Sequence, residues 1–237
     1  MNMAARHALE SLACDYVVLW NNDIKCDTNY FLCLLKILRG ADPEPLLGSK
    51  VYMMDPPHVI WAMGCYFNPR TGKHTLVGTG EEDCERYSHA IRTDYAGGMG
   101  TVVHREVIEK VGYWDAEAFP QYCGDCDFGL RAKRKGFRML IHPDLKIWND
   151  SSSSGLSHNG RFGAFLRSFF DRRSNFQLRT QLRFYRRHSE SLLAYGTLLR
   201  MYAGYVLGFF KWRLMGFFGV TRRRSPNMQA EMDPDEN

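Results

Sequence analysis

The 237-residue sequence lacks low-complexity tracts, internal repeats and an apolar stretch at its N-terminus. The lack of repeats excludes solenoids and propellers. The lack of an apolar N-terminal region predicts that there is no secretory signal peptide, so we expect a cytoplasmic protein. The seven cysteines are an odd number without the spacing of a disulfide framework, which suits a reducing compartment. With 45% hydrophobic residues, the composition is that of an ordinary globular protein.

One pair of cysteines, Cys123 and Cys126, has the Cys-x-x-Cys spacing of zinc and redox sites. A structural zinc site needs a second pair, which the spacing of Cys65 and Cys84 does not supply. The sequence around the pair also lacks a thioredoxin-type context. We therefore predict free thiols, while a zinc-binding or redox protein stays open as a third class of function.

An apolar run at residues 16–20 (Tyr-Val-Val-Leu-Trp) is followed by Asn21, Asn22 and Asp23. Such a run predicts a buried strand, and ligands of open α/β sheets bind beyond the carboxyl ends of the strands. A carboxylate at that position is suited to hold a divalent cation. The alternative is a plain turn, because Asn and Asp readily bond to their own backbone.

Two further blocks follow in the chain. Residues 95–115 contain Ala-Gly-Gly-Met-Gly-Thr-Val-Val-His and end in Gly-Tyr-Trp-Asp, and residues 122–137 read Tyr-Cys-Gly-Asp-Cys-Asp-Phe-Gly-Leu-Arg-Ala-Lys-Arg-Lys-Gly-Phe. Together with the first block, and in this order, they resemble the inverting family 2 glycosyltransferases of GT-A fold, particularly the rhamnosyltransferase-like members. The resemblance covers roughly residues 2–190.

The resemblance implies an α/β, Rossmann-like GT-A fold with a parallel sheet, and a nucleotide-diphospho-sugar donor with a glycan or lipid-linked acceptor. It places Mg²⁺ or Mn²⁺ on Asp23, with Asn21 at the other polar position of the motif and Asn22 in the pocket. It makes Asp125 the general base that deprotonates the acceptor. Sugar transfer needs such a base, together with a cation that stabilises the departing diphosphate.

The acidic motif also has plainer explanations. Asp125 stands near a predicted helix start, where Asp is a favoured cap and complements the helix dipole. Asp127 is either structural or a carboxylate of the donor site. Arg131 lies four residues further on, so it is placed either to form an ion pair or to orient a functional carboxylate.

Two glycines, Gly97 and Gly98, follow an apparent strand. The resemblance places them in the wall of the donor and acceptor pocket, although a tight turn explains them equally well. The carboxylates of residues 81–83 (Glu-Glu-Asp) and Asp94 lie in and after a glycine-rich stretch, and we expect them to form a solvated loop face.

The sequence departs from the family pattern in three places. Gly124 replaces an acidic residue beside Asp125, and Asn149 stands where relatives often carry a metal-binding His. Asn149, or Asp150 beside it, is then the candidate second metal ligand, and a neutral amide binds a cation less strongly than a carboxylate does. The first strands of a GT-A domain, which read the nucleotide base, have no counterpart, so we expect an N-terminally truncated domain. The alternative function is an inactive relative that acts as a membrane-bound partner.

The charge is unevenly distributed. Residues 161–224 carry fourteen Lys or Arg against two acids, a net charge of +12 in a chain whose total is +5. We predict a partial catalytic domain at 1–160, a helical membrane-associating element at 161–224 and a disordered acidic tail at 225–237. Residues 192–210 carry one charge, Arg200, which together with three glycines favours a helix lying on the inner face of the cell membrane over a span. The alternative is a core helix packed on the catalytic domain. Nucleic-acid binding is not expected, because no recognition motif accompanies the arginines.

Overall fold

The computed structural model of the chain describes residues 1–150 and 161–217. The boundary predicted at residue 160 and the tail at 225–237 lie outside these residues. The chain forms two compact units. The first comprises Met1–Phe67, His74–Glu117 and Gly124–Ser151, and the second comprises Asn68–Lys73, Ala118–Cys123 and Ser152–Asn237.

The first unit is a mixed α/β structure, consistent with a GT-A type domain. Its helix α1 (Asn2–Arg6) continues into a π-helical turn at His7–Ser11. Its strands are β1 (Tyr16–Leu19), β2 (Ile24–Cys26), β3 (Leu46–Met53), β4 (Ile60–Ala62), β5 (Cys65–Phe67), β6 (His74–Leu76), β7 (Ile91–Thr93), β8 (Thr101–His104) and β9 (Met139–Asn149). Its other helices are α2 (Tyr30–Leu38), α3 (Arg105–Val111) and α4 (Gly124–Arg134).

The main sheet has the strand order β1-β8-β3-β9-β2, with β4 paired to β3 and β7 paired to β9. The expectation of a parallel sheet is wrong: among the strand pairs of the described residues, β3 and β9 are parallel and the others are antiparallel. Adjacent parallel strands need a long crossover. Here the chain from β3 to β9 contains α3 and α4, which supply it.

Local signals explain the helix that separates the first glycine-rich loop from the acidic motif. α3 begins after His104, whose Nδ1 accepts the Glu106 backbone N–H at 3.3 Å. It ends at Gly112, whose φ of 84° lies in the region that favours glycine. The turn that follows leads towards α4.

Two hydrophobic clusters lie within the first unit. One contains Val107 of α3 and Phe128 of α4, and the other contains Tyr30 and Leu34 of α2. β1 contributes to both, because Leu19 belongs to the first cluster, Val17 packs against it, and Val18 packs against the second. This alternation of side chains along β1 is that of a strand with apolar contacts on both faces.

The second unit is helical, with α5 (Phe162–Ser168), α6 (Leu178–His188) and α7 (Leu192–Phe217). Its interior is aromatic. Phe165 stacks on Phe209 with ring centroids 4.0 Å apart, and Phe176 stacks on Tyr205 at 3.7 Å. No helix of the described residues combines the length and hydropathy needed to cross a bilayer.

Candidate active site

A glycine loop precedes β8 and is hydrogen-bonded to the end of β1. Leu19 pairs with Thr101, and the Gly100 N–H donates to the Leu19 carbonyl at 2.9 Å. The Gly100 carbonyl accepts the hydroxyls of Tyr30 at 3.2 Å and Ser49 at 2.9 Å. Gly100 has a φ of 65°, and a Cβ there would lie 2.4 Å from Ser49 Oγ. The loop is therefore fixed to the core by a glycine that the sequence analysis did not single out.

The same loop holds the candidate base. The Gly98 N–H donates to Asp125 Oδ2 at 2.8 Å, and the Thr101 hydroxyl donates to the Gly97 carbonyl at 2.6 Å. A Cβ on Gly98 would lie 3.0 Å from Asp125 Oδ2, so glycine lets the backbone approach the carboxylate. Through this loop the structure links Gly97, Gly98 and Asp125 to the strand that precedes the Asn-Asn-Asp motif.

Asp125 lies in the first turn of α4, within the reach of two neutral donors. Burial raises the pKa of its carboxyl group, while hydrogen bonds from the Gly98 backbone and the Trp114 side chain oppose that rise. Trp114 was part of the Gly-Tyr-Trp-Asp block, but sequence reasoning gave it no role. Asp125 is therefore a half-buried residue whose carboxyl pKa is raised above the ordinary aspartate value, a property that suits a general base.

Asp127 and Arg131 bond to each other, and Arg131 also bonds to nearby backbone carbonyl groups. Asp127 is fully buried, and its Oδ2 accepts Arg131 Nε at 2.8 Å. Arg131 Nη1 donates to the Val111 carbonyl at 2.7 Å, and Nη2 donates to the Tyr113 carbonyl at 3.0 Å. Of the two alternatives for Arg131, this geometry favours the ion pair; a donor-site role for Asp127 stays a prediction.

Asp23 and Asn149 come together at the carboxyl end of β9. Ile24 is the register partner of Asn149, and the Asp150 N–H donates to the Asp23 carbonyl at 3.2 Å. Asn21, Asn22 and Asp23 are exposed, whereas Asn149 is buried. The antiparallel pairing of β2 with β9 therefore brings the two candidate metal residues to one edge of the sheet.

The described residues contain no group of three or more His, Cys, Asp or Glu side chains placed to hold a metal ion. Mg²⁺ does not need such a cage, because it keeps several waters and commonly binds one or two carboxylates together with the phosphates of a substrate. Asp23 is one exposed carboxylate, which is the kind of ligand that such a cation uses.

The expectation of a solvated acidic loop is wrong for Asp83 and Asp94. Asp83 pairs with Lys50, which is 2% exposed, and accepts the Tyr52 hydroxyl at 2.6 Å. Asp94 is 5% exposed; it accepts the Phe67 N–H at 2.9 Å and forms an ion pair with Lys133 at 2.7 Å. The sequence does not show that distant lysines reach these carboxylates. The seven cysteines are free thiols.

The mixed α/β fold of the first unit is consistent with one class of protein, the GT-A type sugar transferases. Comparison of the sequence places the chain within it: residues 3–183 match the family model described as glycosyltransferase like family 2, which covers more than half of the chain. The protein belongs to that family.

One curated relative is the galactofuranosyltransferase GlfT2 of Mycobacterium tuberculosis (strain ATCC 25618 / H37Rv). The two sequences are 22% identical over 158 residues, and the match covers 60% of this chain and 24% of the relative. The chain therefore spans about a quarter of that protein's length.

Proposed function

We propose that this protein transfers a hexosyl group from a nucleotide-diphosphate donor to a hydroxyl group of a glycan or lipid-linked acceptor, with inversion at the anomeric carbon. The observation that carries the proposal is the environment of Asp125. Its carboxylate accepts the Gly98 N–H at 2.8 Å, and burial raises its pKa. Membership of family 2 supports the reaction class.

In this mechanism Asp125 accepts the proton of the acceptor hydroxyl. The acceptor oxygen forms a bond to the anomeric carbon as the bond from that carbon to the phosphate oxygen breaks, and the nucleoside diphosphate leaves. Attack from the face opposite the leaving group inverts the configuration. Because the pKa of Asp125 is raised, the carboxylate takes up the proton more readily than an ordinary aspartate does.

A divalent cation, Mg²⁺ or Mn²⁺, would neutralise the charge that develops on the departing diphosphate. Asp23 would hold it, and Asn149, at the adjacent strand end, would supply an amide oxygen. The exposed Asn21 and Asn22 are the polar groups next to Asp23 and would contact the donor. The relative suggests a galactofuranosyl donor, and the resemblance noted above suggests a rhamnosyl donor.

The test compares the unmodified chain with Asp125→Asn, using a panel of nucleotide sugars that includes galactofuranosyl and rhamnosyl donors. Loss of a general base lowers turnover by about 10²–10⁴-fold. Release of nucleoside diphosphate is the measurement, and the exposed Asp144 gives the matched control Asp144→Asn, which should keep its turnover. Equal turnover in Asp125→Asn would remove Asp125 from the mechanism. No turnover with any donor would favour the inactive-partner alternative.

The proposal includes attachment of the second unit to a membrane. α7 has an exposed apolar stripe at helical spacing, formed by Leu192, Leu199, Leu207, Phe210 and Leu214. Its opposite side packs against the aromatic interior through Phe209. Exposed Arg200 and Lys211 lie beside the stripe, in an element of strongly positive charge. Apolar contact with flanking cations is the pattern of helices that lie on anionic bilayers.

Vesicle co-sedimentation tests this surface. The chain should bind vesicles that contain phosphatidylglycerol, and Leu199→Ser or Leu207→Ser should weaken binding about tenfold each, because each removes a leucine from the apolar contact. Leu35→Ser is the control, since Leu35 is also half exposed but lies on α2 of the first unit. Binding that is unchanged in both α7 variants, or dimerisation through α7 without vesicle binding, contradicts the membrane assignment.

A further inference from the structure

A cavity of about 400 Å³ lies in the second unit, where the segment Asn68–Lys73 meets α7. Its residues from α7 stand at helical positions i, i+3, i+4 and i+7, so they share one face of the helix. The described lining consists of Thr71, Lys73, Leu193, Gly196, Thr197 and Arg200. The candidate active site lies in the first unit, so this cavity is a separate feature of the molecule.

Contacts between the segment and the helices fix the walls of the cavity. Thr197 Oγ1 donates to the Thr71 carbonyl at 2.6 Å. The Tyr185 hydroxyl donates to the Gly72 carbonyl at 2.9 Å. A Cβ on Gly72 would lie 2.9 Å from the Ala194 carbonyl oxygen, so the segment packs directly on the backbone of α7. The fold of this unit therefore holds the two walls in place.

The described lining has the chemistry of an anion site, because it contains two cations, Lys73 and Arg200, and no acidic side chain. A guanidinium group binds phosphate oxygens in pairs, and an ammonium group binds them as a point charge. The Thr71 hydroxyl accepts the Lys73 N–H at 3.4 Å and still has its own proton to donate. Such a set suits a phosphate monoester, whose charge near neutral pH is about −1.5 to −2.

Apolar surface continues from the cavity along the same helix. Leu193, which lines the cavity, is 72% exposed, and Leu192 and Leu199 are exposed beside it. A soluble phosphate makes no use of such leucines, whereas the acyl chains of a lipid lie against them when its head enters the cavity. This continuity favours a lipid as the source of the phosphate.

We propose that the cavity binds the head of a lipid that ends in a phosphate monoester, with Lys73 and Arg200 on the phosphate and Leu193 against the chains. The inference rests on one part of the proposed function, the attachment of the second unit to a membrane, and adds a preference for one kind of headgroup. It does not depend on the reaction or on Asp125.

Co-sedimentation of the full chain with two kinds of phosphatidylcholine vesicle tests the preference. One kind contains phosphatidic acid, a phosphate monoester, and the other contains phosphatidylglycerol, a diester, at mole fractions that give the same surface potential. We expect about tenfold tighter binding to phosphatidic acid, the effect of one additional charge-assisted hydrogen bond. Equal binding to both would mean a general attraction between cations and anionic lipid, and would overturn the proposal.

Gly196 offers a way to fill the cavity. It is exposed, and a Cβ built on it would meet no heavy atom within 4 Å, so Gly196→Gln adds bulk without changing the charge. This variant should lose the preference for phosphatidic acid and keep its binding to phosphatidylglycerol. Gly204→Gln is the matched control, because Gly204 is equally exposed and open on α7 but is not part of the described lining. A preference that survives Gly196→Gln would contradict this site.

A charge variant tests the contact with the phosphate itself. Arg200→Gln should weaken binding to phosphatidic acid about tenfold more than binding to phosphatidylglycerol. Arg213→Gln removes the same charge from another exposed position of α7 and should weaken both equally. If Arg200→Gln also weakens both equally, Arg200 does not bind the phosphate.

Inorganic phosphate distinguishes the two sources of the ligand. Its binding is followed through the backbone amide signals of Thr71, Lys73 and Gly196, and it should be much weaker than binding to phosphatidic acid vesicles. Inorganic phosphate that binds as tightly as these vesicles would make the site one for soluble phosphate, and the lipid assignment would be wrong.

Two further comparisons separate this proposal from the proposed function. If Asp125→Asn keeps full turnover while Gly196→Gln loses the preference for phosphatidic acid, the proposed reaction fails and the lipid site stands. If Leu199→Ser and Leu207→Ser weaken vesicle binding but the unmodified chain shows no preference, the membrane surface stands and the lipid site fails.

Discussion

Asp125 at the start of α4 and Asp83 in the connection that follows β6 are two partly buried carboxylates of one unit, and their pKa values move in opposite directions. Burial raises the pKa of Asp125, whose hydrogen-bond donors among the described residues are neutral. Burial acts on Asp83 in the same sense, but hydrogen bonds from Lys50 and Tyr52 outweigh it, so the pKa of Asp83 is lowered.

The difference lies in the charge of the partner. An ammonium group favours the ionised carboxylate much more than an amide or indole N–H does. Asp83 is consequently committed to Lys50, and its low proton affinity makes it a poor base. Asp125 keeps a raised proton affinity and partial access to solvent, which are the properties that a base for an alcohol acceptor needs.

The largest effect that should separate the two carboxylates is on stability. Asp83→Asn leaves Lys50 charged and 2% exposed, with the Tyr87 carbonyl as its other partner at 2.9 Å. Breaking a buried pair from one side costs about 3 kcal/mol at the low end of the usual range, which applies because Asp83 retains some exposure. Asp125→Asn should be no less stable than the unmodified chain near neutral pH. Urea unfolding monitored by circular dichroism measures both.

The control for Asp83→Asn is Glu106→Gln, which breaks an exposed i,i+4 pair with Lys110 on α3. Its unfolding midpoint should not change detectably, because exposed ion pairs contribute little. If Asp83→Asn unfolds at the same urea concentration as the control, Asp83 does not stabilise the buried Lys50. The contrast drawn between Asp83 and Asp125 would then be wrong.

The contributions of Asp83 and Asp125 to the free energy of unfolding should also change with pH in opposite directions. The folded pKa of Asp83 lies below that of an unfolded aspartate, about 3.9, so its contribution is present above that pH and is lost as the pH falls through the folded value. The folded pKa of Asp125 lies above the unfolded one. Its contribution therefore decreases as the pH rises from about 3.9 to the folded value.

Whether a feature of this structure can be predicted from the sequence depends on how far apart its interacting residues lie in the chain. β1, α3 and the helix carrying Asp125 follow from local patterns: an apolar run, a glycine stop and an acidic first turn. Lys50 and Asp83 are 33 positions apart, and no local sequence pattern predicts their ion pair.

The antiparallel neighbours of the sheet were missed for a related reason. An apolar strand reads the same in either direction, and the resemblance led to a parallel arrangement. Trp114 was given no role because an indole in an apolar block is read as core, and its ring does stack in the core, on Phe128. Of the two glycines that the sequence analysis singled out, Gly98 is the one whose Cβ would crowd the Asp125 carboxylate. Gly100 was not singled out, although its positive φ is the clearest requirement of the loop.

The smallest effect concerns a third carboxylate, Asp23, which is exposed. Within the described residues, its side chain accepts neither a backbone N–H, as Asp125 does, nor a lysine ammonium, as Asp83 does. If its partner is a cation that arrives with the diphosphate, Asp23→Asn should weaken Mn²⁺ binding in the presence of a nucleoside diphosphate. Loss of an outer-shell partner costs about tenfold or more, and loss of a ligand costs at least as much.

A substitution at Asn149, on the neighbouring strand, should change Mn²⁺ affinity in the opposite direction. Asn149→Asp replaces an amide with a carboxylate at the edge where β9 meets β2, so it should strengthen Mn²⁺ binding and lower the metal concentration needed for turnover. Asp125→Asn should leave Mn²⁺ affinity unchanged, since Asp125 holds a proton rather than a cation in this scheme. Calorimetric titration of Mn²⁺ with uridine diphosphate present checks all three variants. If Asp125→Asn weakens Mn²⁺ binding as much as Asp23→Asn does, the base and the cation do not occupy separate carboxylates, and the division between them is wrong.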